Sequence, residues 1–110
     1  MADEIKKLKF KNNTDLQIEV VSLQNLTNAK KELLVNPHRT NFYQIFLFEN
    51  CQPTHLVDFE PIKIEPYSLL FINKDRVHQF DQLLNYDGKL IVFTEDFFCK
   101  TETEIGRAHV

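Results

Sequence analysis

Pro37-His38-Arg39-Thr40-Asn41-Phe42-Tyr43-Gln44-Ile45-Phe46-Leu47-Phe48-Glu49 is the stretch on which the reading of this 110-residue chain turns. It couples a histidine to a run dense in aromatic and β-branched residues. Side chains two apart on a strand share a face. A strand regular from His38 onward therefore projects His38, Thr40, Phe42, Gln44 and Phe46 together, and Tyr43, Ile45 and Leu47 to the other side. Apolar residues on both faces predict a central strand covered on both sides. A second stretch, Ser68-Leu69-Leu70-Phe71-Ile72-Asn73 running on to Val77-His78-Gln79-Phe80, again couples a strand-like apolar run to a histidine.

Working outward, Leu16, Ile18 and Val20 alternate with Gln17 and Glu19, the period of a half-buried strand. Asn25 to Lys31 is polar and suits a short helical turn. Asn50 to Pro53 reads as a turn and His55 to Phe59 as the returning strand of a hairpin. Pro61 and Pro66 bracket Ile62-Lys63-Ile64, and proline is tolerated at strand ends and edges. Lys74-Asp75-Arg76 is a turn. Asn85-Tyr86-Asp87-Gly88 is another, with Gly88 free to take positive φ. Lys89 to Thr94 is the last clear strand. Thr94 then reads as an N-cap, with Glu95 and Asp96 in the first turn of a helix. Short strands separated by turns, with little helix before the end, predict an all-β sandwich or barrel.

The length suits one domain. The apolar fraction is 43%, with ten Phe and no Trp. The net charge of -3 argues against a stand-alone nucleic-acid binder, which usually carries a basic patch. Cys51 and Cys99 are too far apart for a C-x-x-C pair and read as reduced thiols. Met1 to Lys11 lacks the apolar core of a secretion signal, and no run approaches a membrane helix, so the expected location is cytoplasmic. Two glycines cannot build a glycine-rich phosphate loop. No Ser-His-Asp or Cys-His arrangement has a recognisable spacing, so no catalytic residue is expected.

From about Pro37 to Phe98 the chain resembles a cupin-type barrel. More narrowly, it resembles the N-terminal sensor domain of AraC-type bacterial transcription regulators. The resemblance rests on Pro37 to Tyr43, Thr54-His55-Leu56-Val57-Asp58, the Ser68 to Asn73 strand, Val77-His78, and Phe93-Thr94-Glu95-Asp96-Phe97-Phe98, in that order. It implies a mainly all-β, double-stranded β-helix or jelly-roll barrel over residues 1–94, acting in ligand sensing and dimerisation. The start of a truncated linker helix would occupy 95–104. Residues 105–110 read as translated sequencing-adapter sequence. The helix-turn-helix domain of such regulators is absent from the sequence. The implied partners are a small-molecule effector, a sugar or related metabolite, and a second copy of the chain. DNA would be bound only through the absent domain, and no membrane is involved.

Metal-binding cupins carry His-x-His, then Glu four residues on, and a further His from a later strand. The corresponding residues here are His38, Thr40, Gln44 and His78. Two imidazoles without a carboxylate are a poor site for iron, manganese or zinc, so neither metal nor cofactor is expected. What remains is a ligand-binding set: His38, Thr40, Phe42, Gln44, Phe46, His78 and Phe80, mostly apolar with a few polar handles. For each of these, filling the barrel and satisfying neighbouring backbone groups is the competing role. His55 is left open between interior and surface. The rival readings are a stand-alone cupin enzyme, of the metal-dependent sugar isomerase or dioxygenase type, and a purely structural dimerisation barrel. The sequence departs from the family at Pro66-Tyr67 and Lys74-Asp75, where Pro-Gly is frequent, and this predicts altered turns.

Overall fold

A computed structural model describes residues 6–8 and 18–96, with side chains described for 18–96. The described chain is mostly β. Its strands are β1 (Lys6–Leu8), β2 (Ile18–Ser22), β3 (His38–Thr40), β4 (Tyr43–Phe48), β5 (Thr54–Val57), β6 (Glu60–Lys63), β7 (Ser68–Ile72), β8 (His78–Gln79) and β9 (Gly88–Phe93). Two short helices, α1 (Leu23–Ala29) and α2 (Lys31–Val35), lie between β2 and β3. One sheet has the order β2-β9-β4-β7 and the other β1-β3-β8-β5-β6.

The pairing from β2 onward is nested. β2 pairs with β9, β3 with β8, β4 with β7 and β5 with β6, all antiparallel. The chain thus forms one long two-stranded ribbon, whose successive segments alternate between the sheets. Two further antiparallel pairings, β4 with β9 and β5 with β8, close the ribbon on itself. β1 adds to the edge of the second sheet, parallel to β3.

The core lies between the sheets. β4 alternates strictly, with Gln44, Phe46 and Phe48 buried and Tyr43, Ile45 and Leu47 half-buried. Ile72, Leu90 and Val92 join it from β7 and β9. Leu23 of α1 and Leu34 of α2 close one end of the core. The Ser22 hydroxyl caps α1 by accepting from the Asn25 N–H at 3.2 Å. The Phe80 N–H donates to the Leu34 carbonyl at 2.8 Å, which ties α2 to the chain just after β8.

Four features differ from the sequence reading. β4 and β5 are not a hairpin, because they lie in different sheets. The link between them carries the chain across the core rather than back along β4. It is held there by bonds from the Glu49 N–H to the Asp87 carbonyl (2.9 Å) and from the Asn50 N–H to the Asp87 carboxylate (3.0 Å). The true hairpin is β5–β6. Its two turn residues, Asp58 (φ 51°) and Phe59 (φ 67°), both take the positive φ that a two-residue turn of type I′ requires. Pro61 sits inside β6, where it is tolerated because β6 is an edge strand.

Second, the outer face of β4 is not fully covered among the described residues. Its neighbours on that face in β7, Leu69 and Phe71, are 69% and 53% exposed. Third, β2 exists as expected but turns Val20 outward, while Val21 packs against the core. Leu16 lies outside the described residues. An apolar outer face makes alternation a reliable sign of a strand and an unreliable sign of which side is buried.

Fourth, the turns without glycine keep glycine-like backbone. Tyr67 has φ 58° and Asp75 φ 66°. The chain holds both in the left-handed region despite their side chains, at a cost of roughly 1 kcal/mol each. Gly88 has φ 128°, and a Cβ there would lie 1.9 Å from the Leu47 carbonyl oxygen, so its positive φ is a structural requirement. Glu95 and Asp96 are helical, as the Thr94 N-cap predicts. Cys99, the rest of the expected linker helix and the 105–110 tail lie outside the described residues.

Candidate functional site in the histidine-lined interior

Short strands set three imidazoles side by side. β3 and β8 pair with His38 directly opposite His78, and the ring centroids are 4.2 Å apart. β5 flanks β8 on its other side and turns His55 inward. His55 is fully buried and its ring centroid is 5.2 Å from that of His78. The β5–β6 turn fixes this register. The Asp58 N–H donates to the Val77 carbonyl at 2.6 Å, and the Asp58 carboxylate accepts from Arg76 Nε at 2.5 Å.

Hydrogen bonds order these rings. The Asp81 N–H donates to the Tyr86 hydroxyl oxygen at 2.9 Å. The hydroxyl lies 2.8 Å from His55 Nδ1, and His55 Nε2 lies 3.0 Å from His78 Nδ1. His38 Nδ1 donates to the Asn36 carbonyl at 2.8 Å. The imidazoles are held neutral. Burial pushes His55 down to about 3, with the proximity of His38 adding to it. Burial also lowers His38, and lowers His78 well below the ordinary histidine value. Burial likewise raises the Tyr86 hydroxyl above its usual value, so it keeps its proton.

The sequence-derived set is largely brought together. His38, Phe46, His78 and Phe80 are buried, and His78 and Phe80 each contact the other three rings, with centroids 4.2–6.2 Å apart. Gln44 projects from the facing β4, two residues before Phe46, and is 4% exposed. Thr40 is buried, but its hydroxyl is engaged locally, donating to the Phe42 carbonyl at 2.7 Å. Phe42 is buried in the bend between β3 and β4, so the single regular strand expected from His38 to Phe46 is broken there.

Two central residues stand outside the set. In the sequence, His55 stays open between interior and surface because a one-residue register slip of its strand reverses its face. Tyr86 sits in a segment marked only as a turn. Its single signal is a tyrosine among polar turn residues, and a buried hydroxyl needs a partner.

Among the described residues, no group of three or more His, Cys, Asp or Glu is placed to hold an ion. His55 and His78 direct ring nitrogens at each other, and His38 uses Nδ1 on a backbone carbonyl. Two buried polar atoms, Gln44 Oε1 and His78 Nε2, have no partner among the described residues. Cys51 is a free, buried thiol beside Asp87. No described helix is long and apolar enough to cross a membrane. No family model and no curated protein matches the chain.

Proposed function

We propose that this domain is the effector-sensing and oligomerisation barrel of an AraC-type transcription regulator, whose DNA-binding domain is a separate unit. The observation that carries the reading is a phenylalanine-lined interior holding neutral imidazoles and an amide, two of whose polar atoms are unpartnered. Small-molecule sites share this makeup of apolar walls with a few placed polar groups. The nested β2–β9, β3–β8, β4–β7 and β5–β6 pairing supports the jelly-roll, cupin-like form of the barrel.

The mechanism is a ligand-biased population shift. β9 lines the interior with Leu90 and Val92 and runs directly into the helical residues Glu95 and Asp96. Glu95 is ion-paired to Lys74 in the β7–β8 turn. An effector that favours one arrangement of β8 and β9 thereby favours one position of the segment that follows. A metabolite screen by thermal shift, with Gln44→Ala and His78→Ala assayed in an intact regulator, tests this. The reading predicts a stabilising compound and a lost response in both variants. No ligand together with an unchanged response contradicts it.

A second reading, a filled barrel serving only as a dimerisation module, is favoured by the close ring packing of Phe80 on Tyr86 (4.6 Å) and Phe46 on His55 (5.0 Å). It predicts that no compound stabilises the domain and that interior substitutions change stability alone.

A further inference from the structure

The sheet β2-β9-β4-β7 ends at β7, which pairs with β4 on one side and, among the described residues, with no strand on the other. The backbone shows which groups face that open side. The Tyr67 N–H donates to the Glu49 carbonyl at 2.9 Å, in register with the β4–β7 ladder. Hydrogen-bonded positions alternate along an antiparallel ladder, so Leu69 and Phe71 direct their N–H and C=O groups at β4. Ser68, Leu70 and Ile72 direct theirs outward, away from the sheet.

The other edges are guarded. β6 carries Glu60, Pro61 and Lys63, β2 carries Glu19, and β1 carries Lys6 and Lys7. Charge and proline on an edge hinder strand-to-strand association. β7, Ser68-Leu69-Leu70-Phe71-Ile72, has neither. Leu69 and Phe71 are 69% and 53% exposed on its outer face. Leu70 is half-buried against the core on its inner face.

We propose that β7 is a self-association site, through which two copies of the chain join antiparallel with Leu70 of each on the twofold axis. This rests on the oligomerisation in the reading above and gives it an interface. The free backbone groups set the register. With Leu70 opposite Leu70, Ser68 stands opposite Ile72, and the outward-facing residues of both copies bond one another in about six hydrogen bonds. A shift by one residue would set inner-face side chains opposite outer-face ones. A shift by two would bring in Pro66, which has no N–H, or run past the strand into the Lys74-Asp75 turn. The same register sets Leu69 of each copy against Phe71 of the other at a closely spaced position without hydrogen bonds. The exposed apolar pairs thus cover each other, which makes the strand complementary to a second copy of itself. Such an isologous contact closes after two chains. It is short, so the dimer is weak, with Kd on the order of 100 µM.

The test is sedimentation of the full chain at rising concentration, with amide hydrogen exchange along β7. The proposal expects a monomer–dimer equilibrium in which protection of the Leu70 amide rises with concentration. Charge tests the register. L69K/F71K sets like charges opposite each other across the axis and should abolish the dimer. L69K/F71E sets opposite charges there and should retain it, with Kd values of the two doubles roughly tenfold or more apart. Both positions are exposed, and thermal unfolding checks that both doubles fold. A chain monomeric up to about 1 mM, the outcome expected if β7 instead takes an extended peptide of another protein, overturns the interface. So does a Leu70 amide indifferent to concentration, or a pair of doubles that behave alike. Dimers that survive L69K/F71K sink this interface and leave oligomerisation standing. A β7 dimer in a chain that no metabolite stabilises leaves the interface standing and sinks the sensing.

Discussion

The wall built by β2, β9, β4 and β7 meets the interior with Phe46, Phe48, Ile72, Leu90 and Val92, and with one amide, Gln44. The wall built by β3, β8 and β5 meets it with His38, Thr40, His55 and His78. Both walls are buried to the same degree, yet they contribute differently. The first removes apolar surface from water and stabilises the fold by about 25 cal/mol per Å². The second buries polar rings that give little net stabilisation even when bonded, and whose neutral state is stable only above the pH at which they would otherwise charge. A domain that needed only a core would do better with two walls of the first kind.

The largest effect that sharpens this contrast is on the apolar wall. Phe46 is fully buried among Phe48, Phe80 and His55. Phe46→Ala should cost about 3–5 kcal/mol in denaturant unfolding. A loss below about 1 kcal/mol would mean that this wall is not the source of stability.

Next in size is pH, acting through the histidine wall. The folded-state values of His38, His55 and His78 are lowered, so the unfolded chain binds more protons than the native one as pH falls below about 6.5. Stability is therefore full above that pH and drains away toward acid. For His55, at about 3, the loss at pH 5 is about 2 kcal/mol, with His38 and His78 acting in the same direction. Chemical denaturation at pH 7 and pH 5 measures it, and His55→Leu should flatten the slope. Equal stability at both pH values would contradict neutral burial of the rings.

Smaller again is Tyr86→Phe. It removes the hydroxyl between the Asp81 N–H and His55 while leaving the ring packed on Phe80. The expected cost is about 1–2 kcal/mol. The smallest effect has the opposite sign and lies outside both walls. Tyr67→Gly relieves a left-handed φ of 58° at an exposed turn and should stabilise by up to about 1 kcal/mol. Destabilisation there would show that the Tyr67 side chain makes a contact worth more than the strain.

The residues reveal these features unevenly. Strand positions are legible where aromatic and β-branched residues are dense, as in Tyr43–Phe48 and Gly88–Phe93. The pairing of β4 is not, because turn residues at Asn50–Pro53 look the same whether the chain reverses or crosses to the other sheet. Val20 misled because the outer face of its sheet is itself apolar. His38, Gln44 and His78 were found as inward polar residues from their two-residue spacing and the resemblance. His55 and Tyr86 were missed as site residues, since their roles depend on β5 lying beside β8 and on the Asp81 N–H, both products of tertiary pairing.

The most direct test of the account is the tautomeric state of the buried rings. A long-range proton–nitrogen spectrum of the histidines at pH 7 should show His55 and His78 neutral and protonated on Nε2, with His38 neutral and protonated on Nδ1. The Tyr86 oxygen accepts from the Asp81 N–H and so gives its own hydrogen to His55 Nδ1, which leaves His55 Nε2–H to donate to His78 Nδ1; His78 protonated on Nδ1, or present as imidazolium, would contradict that directed chain of hydrogen bonds.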